Sequence, residues 1–248
     1  MSDKSNLNIV GVGNTSGGNY EKVLIMGVAV IEGSVTIRKH KCLGVATVKG
    51  NITVADKYSL FGTQTVDGNM KAKSVKVRGT DRVKGTLDCE EIHIAGTGIY
   101  SKIRGIKKID TKGVIKIQES LECNQLEVRG VLEAKEEIAA EKVMLNGSFH
   151  VDGLLTGDVI DITLKDKSYA REIGGQTIKV ESKGTLVNKG HLNTESIEGD
   201  NIQLESTEAK LVRGKNVIIG SGCVIERVEY KSSVNISSKA KVNEVVQV

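Results

Sequence analysis

Glycine recurs in this chain with a period that leaves few folds open. Gly27, Gly44, Gly62, Gly79, Gly96, Gly113, Gly130 and Gly147 are separated by 17, 18, 17, 17, 17, 17 and 17 residues. A second series lies six residues further on, at Gly33, Gly50, Gly68 and Gly85, and returns at Gly153. A phase held from Gly27 to Gly147 marks an internal repeat. Repeats this short bury their apolar faces only by stacking on their neighbours.

The other columns of the same frame show what is stacked. Four residues before each glycine stand Val23, His40, Tyr58, Val75, Ile92, Ile109, Leu126 and Val143; two before stand Ile25, Cys42, Leu60, Val77, Ile94, Thr111, Val128 and Leu145. Further columns four, eight and ten residues after the glycine are also mostly apolar, with Ile31, Val48, Val66 and Val83 in the first of them. Apolar columns two residues apart mark strands with one buried face. Each repeat therefore holds three short strands joined by corners. The expected fold is all-β: a triangular, single-stranded parallel β-helix, or β-solenoid, with a coil of about 17 residues. Glycine suits the corners, where the backbone turns or approaches its neighbour closely. The 248 residues include no Pro, as expected where nearly every backbone N–H pairs with an adjacent coil. No window keeps a helical apolar stripe.

Outward columns are polar. Five after the glycine come Glu32, Lys49, Asp67 and Lys84, and eleven after come Arg38, Ala55, Lys73, Glu90 and Lys107. Opposite charges in adjacent coils are placed to pair, at about 0–1 kcal/mol each. Arg104 breaks its apolar column, and a local slip is expected to turn Ile103 inward instead.

The phase loosens after Gly157. The pairs Ile160/Ile162 and Ile178/Val180 keep a step of 18, whereas Ile202/Leu204 follow 24 later. A looped-out segment is expected around Glu195 to Asn201. Residues 1–20, rich in Gly, Ser and Asn, read as a flexible arm; 21–248 form the β-helix domain, regular over 21–180 and irregular, with the insertion, over 181–248. The start of the sequence has no charged-then-apolar leader pattern, and its longest apolar stretch, Val23 to Ile31, is too short to span a bilayer. A cytoplasmic protein with reduced thiols is expected.

The chemistry-bearing residues do not converge. Ile9 to Gly17 looks like the opening of a dinucleotide fingerprint, but its third glycine is displaced and no helix pattern follows. Cys89 and Cys123 share a column two coils apart, beyond disulfide reach, and Cys42 and Cys223 lie elsewhere. His40, His93, His150 and His191 fall in distant coils, without metal-ligand spacing; His93 and His150 should face water. Glu90-Glu91 and Glu136-Glu137 point to opposite faces of their strands. With 35 basic and 31 acidic residues, the net charge of +4 is too small for a nucleic-acid signature.

The segment Val75-Lys76-Val77-Arg78-Gly79-Thr80-Asp81-Arg82-Val83-Lys84-Gly85-Thr86-Leu87 resembles the repeat frame of bactofilins, the polymer-forming bacterial cytoskeletal family. The likeness covers about 21 to 248 and is clearest from 23 to 157. It implies a right-handed β-helix that stacks end to end into nucleotide-independent filaments, as a cytoplasmic scaffold for cell shape, polar organisation or motility. The implied partners are further copies of the chain and a peripheral membrane or membrane-protein anchor, with no nucleic acid, substrate, cofactor or metal. Family members usually have fewer coils and Pro-rich tails, and often a C-terminal aromatic at the polymer contact. Here no Phe follows Phe149, and the aliphatic Val242, Val245, Val246 and Val248 take that place. An open solenoid end exposes strand edges and a slice of core, so the expected polymer contacts are Val23 and Ile25 at one end and those four valines at the other. A non-polymerising binding solenoid is the alternative. An acyltransferase would keep a six-residue phase, a pectate-lyase-like enzyme would cluster Asp, Arg or Ca²⁺ ligands, and an adhesin would carry an export signal.

Overall fold

A computed structural model describes residues 5–183 and 190–248. The chain divides into two compact units, Met1–Leu121 and Glu122–Val248. Among the described residues the regular structure is all strand, and each unit is a parallel β-solenoid.

In the first unit every coil repeats three ladders. Val28–Ile31 pairs with Val45–Val48, which pairs with Thr63–Val66, then Thr80–Val83 and Thr97–Tyr100. Val35–Ile37 pairs with Ile52–Val54, and Lys39–Cys42 pairs with Lys57–Leu60. The register steps by one residue between the last two, which marks the corner between them. Alternation then sends the apolar columns inward: Ile31, Val48, Val66 and Val83 are all buried, as are Ile25, Cys42, Leu60 and Val77. Ile103 is buried opposite Leu87 while Arg104 is exposed, so the slip expected there is present.

The glycines at the main corner stack on one another. A Cβ on Gly44 would fall well inside contact distance of the Gly27 carbonyl oxygen, and one on Gly62 would meet the Gly44 carbonyl in the same way. The period is therefore a steric requirement of close backbone approach.

The second unit repeats the plan with longer, bent strands. Ile138–Leu164 pairs with Lys167–Ser182, then His191–Leu204, Thr207–Ile219, Val224–Ile236 and Lys241–Gln247.

Two boundaries differ from expectation. Residues 6–20 are not a flexible arm: they belong to the strand Asn6–Cys42 and form a coil of their own. The Glu21 N–H donates to the Ser5 carbonyl (3.0 Å), and Gly11 lies against Gly27. Small and polar residues suffice there because the backbone ladder supplies the pairing. Nor is 195–201 looped out, since it lies within His191–Leu204 and is paired on both sides. Lys167 already faces His191, so the extra residues lie between Ser182 and His191, where 184–189 fall outside the described residues.

Candidate assembly surfaces and a buried polar cluster

The aliphatic columns of the second unit continue into its last coil, where they meet water. Ile225 and Val228 are buried, and their register partners are Val242 and Val245. Val242 is half-buried, but Val245 is 44% exposed. Val234 and Ile236, which continue the buried Val217 and Ile219, are likewise only half-buried. Among the described residues Lys241–Gln247 pairs on one side alone, with Val224–Ile236. An unpaired strand edge beside a slice of aliphatic core is a surface able to take another strand.

The six residues expected at polymer contacts differ in their surroundings. Val242 and Val245 continue the core columns. Val246 alternates to the other face of the strand, half-buried opposite Glu229, and Val248 is exposed, its N–H donating to the Tyr230 carbonyl (3.0 Å). Val23 and Ile25 are 1% and 0% exposed, covered by the coil of residues 5–20, so neither stands at an open end. A charge at either would disrupt the core rather than a contact between molecules.

Adjacent coils pair their surface charges as the columns suggest. Lys49 meets Glu32 (2.7 Å), Lys84 meets Asp67 (2.7 Å) and Lys107 meets Glu90 (2.9 Å). In the second unit Arg213 and Arg227 both reach Glu229 (2.6 and 2.7 Å), and these guanidiniums hold its carboxyl below the usual range.

One cluster escaped the column reading. In the first unit His40, Tyr58, Gln64, Asp81 and Tyr100 all lie inside the solenoid. The Tyr58 hydroxyl donates to Asp81 Oδ1 (2.8 Å) and the Tyr100 hydroxyl to Oδ2 (3.2 Å). His40 stacks on Tyr58 with ring centroids 5.1 Å apart, and its Nε2 lies 2.7 Å from Gln64 Oε1. Burial raises the Asp81 carboxyl to about 6, against the pull of the two phenols, and lowers the His40 imidazole to about 4. Glycine makes the room. Gly98 follows Asp81 in register, and a Cβ there would sit 2.6 Å from Tyr100 Cε2. Gln64, Asp81 and Gly98 interrupt a column whose other members, Ala29, Ala46, Ile115, Leu132 and Phe149, are apolar, so apolar periodicity does not point to the three. A cluster sealed from solvent offers no approach to a substrate.

The remaining reactive side chains stay apart. All four cysteines are free and buried, with the thiols of Cys89 and Cys123 pushed up to about 12 by burial. His93 and His150 face outward beside carboxylates, His150 Nε2 at 2.7 Å from Asp152 Oδ1. Among the described residues no three His, Cys, Asp or Glu side chains are grouped to hold a metal ion.

No family model matches the chain, and no solved structure matches it. It is similar to two proteins of Bacillus subtilis (strain 168). Uncharacterized protein YhbF is 42% identical over 95 residues, covering 37% of this chain and 40% of that protein. Uncharacterized protein YhbE is 43% identical over 99 residues, covering 37% of this chain and 42% of that protein. The chain thus spans about two-fifths of the length of the curated relatives it matches.

Proposed function

We propose that this chain is a structural scaffold that assembles end to end into filaments without nucleotide, in the manner of the bactofilins its repeat frame resembles. Such filaments would support cell shape, polar organisation or motility from the cytoplasm. The observation that carries the reading is the last coil of the second unit, whose half-buried Val242 and exposed Val245 extend buried columns beside an unpaired strand edge. Association through that edge would bury the remaining aliphatic surface and satisfy the free N–H and C=O groups together.

Negative-stain microscopy of purified protein, with no nucleotide added, tests it. Wild type is expected to form filaments, and Val245→Lys to abolish them by placing a charge in the contact. Val246→Lys should still polymerise, because that side chain lies on the opposite face of the strand from the core columns. A wild type that stays strictly monomeric at high micromolar concentration would sink the reading.

A further inference from the structure

Twelve large apolar side chains stand exposed among the described residues, and seven of them flank the glycines of one corner of the first unit. Val10 and Val12 stand on either side of Gly11, Met26 and Val28 on either side of Gly27, and Leu43 and Val45 on either side of Gly44. Phe61 precedes Gly62. Their exposure runs from 40% at Phe61 to 87% at Val12. The glycines stack, so these side chains form a continuous ridge across four coils. In the second of them the run Val23 to Ile31 is apolar on both faces. Val23, Ile25, Ala29 and Ile31 fill the core, while Leu24, Met26, Val28 and Val30 point outward. Folding requires only the inner set. A contiguous apolar patch of this kind on a soluble surface marks an interaction site.

The charge around the ridge has one sign. The stretches 22–28, 39–45, 57–63 and 74–80, which run up to and through the corner in successive coils, contain six Lys or Arg and no Asp or Glu. Lys39 faces Lys57 across adjacent coils, and Lys76 faces Ser59. Lys41 Nζ and Arg78 Cζ lie 5.6 and 5.3 Å from the centroid of the Phe61 ring. Two paired carboxylates, Glu21 and Asp56, lie just outside these stretches: both meet Arg38, and Asp56 also meets Lys39 (3.2 Å to Arg38 and 3.6 Å to Lys39).

Shape selects among the occupants. The chain bends at Leu43–Gly44 and at Phe61–Gly62 with its buried side chains on the inner side, so the ridge is convex. Peptide partners dock in grooves or on free strand edges. At this corner the surface is a ridge, and the strands of the third and fourth coils are paired on both sides. A convex row of aliphatic tips with one aromatic, set among cations that outnumber the carboxylates at its margin, fits a soft anionic surface. The tips enter the boundary between headgroups and acyl chains, and the Lys and Arg side chains meet lipid phosphates.

We propose that this glycine corner of the first unit is a docking surface for an anionic lipid bilayer. The proposal goes beyond the filament reading and does not depend on it.

Flotation of the full chain with vesicles of equimolar phosphatidylcholine and phosphatidylglycerol tests it, beside vesicles of phosphatidylcholine alone. Wild type is expected to float with the anionic vesicles, and binding should fall with added salt. The combined variant Met26→Ser, Leu43→Ser, Phe61→Ser should bind about tenfold more weakly or worse, as should Lys41→Glu with Lys76→Glu. All five positions face outward, so thermal melts should match wild type. The chain contains no Trp, so Phe61→Trp is a single reporter. Its emission should shift to the blue on anionic vesicles and be quenched by brominated lipid. Failure to float, equal binding to neutral vesicles, unchanged binding by both variants, or unshifted emission from Phe61→Trp would each overturn the proposal. Negative-stain images of the same samples separate the two readings. Filaments without vesicle binding overturn this proposal alone; vesicle binding by strictly monomeric protein supports it and overturns the filament reading.

Discussion

Asp81 and His40 are titratable groups enclosed by a solenoid whose other inward positions are mostly aliphatic, and their displacements oppose each other. The folded carboxyl sits near 6 against an ordinary 3.8, and the folded imidazole near 4 against 6.5. A carboxyl raised on folding contributes stability that is complete below 3.8 and is lost as the pH climbs through about 6. An imidazole lowered on folding does the reverse, contributing stability above 6.5 that is lost as the pH falls toward 4. Between about 4 and 6 the unfolded chain holds one proton on the imidazole and the folded chain one on the carboxyl, so the two slopes cancel. Wild-type stability should therefore change little from this pair across that window. Removing one partner uncovers the other. Asp81→Asn should lose about 3 kcal/mol on acidification from neutral pH to about 4, and His40→Leu should gain about as much, at about 1.4 kcal/mol per pH unit. Urea titrations at both pH values read this directly. Parallel pH profiles for wild type and both variants would show that the cluster is not sealed as described.

The glycine column acts on the element as a whole, because a side chain at one corner pushes against the coil before it. Gly44→Ala places a methyl group into the Gly27 carbonyl, which belongs to a backbone held on both sides of the corner, by the Leu43 N–H donating to the Ile25 carbonyl (2.8 Å) and by the Val28–Ile31 ladder. We expect a loss of more than about 2 kcal/mol by urea unfolding. Gly174→Ala is the control. Its added Cβ would meet Thr156 Oγ1 at 3.7 Å and Leu154 Cδ1 at 3.8 Å, ordinary contacts, so stability should stay within about 1 kcal/mol of wild type. Equal losses at the two sites would refute the close-approach account of the repeat. This column is also why the ladders are legible in the sequence: a steric period and a two-residue apolar period coincide from Gly27 to Gly147. Where either signal fails, the reading fails too. The first coil steps 16 residues, from Gly11 to Gly27, and turns Val10 and Val12 outward, so its pattern is that of a tail although its backbone is paired. The 24-residue gap before Ile202 reveals an insertion, but only the pairing of Lys167 with His191 places it before the strand rather than within it. Asp81 and Gln64 stay hidden in the pattern because hydrogen bonding, rather than hydrophobicity, permits them inside. Val23 and Ile25 read as an open end only because the coil above them carries no apolar signal of its own.

For the whole molecule, assembly and stability are one equilibrium seen from two sides. Any partner that binds only the folded last coil stabilises it by mass action, by about 2.7 kcal/mol at a hundredfold excess over the dissociation constant. Among the described residues the strand Lys241–Gln247 has a single neighbour and its inward Val245 is 44% exposed, so in a free molecule it is a stretch ready to open. Contact with a second copy through that edge would hold it closed. Wild type should accordingly melt at a temperature that rises with protein concentration, while Val245→Lys should melt at one temperature throughout. Amide exchange gives the same test locally. Protection at residues 241–247 should grow with concentration in wild type and remain low in the variant, whereas amides at buried Val212 and Val217 should be unaffected in both. Protection at 241–247 that is already high in dilute monomer would mean the last coil needs no partner. The aliphatic column ending there would then be a finished surface, and the case for growth from this end would be lost.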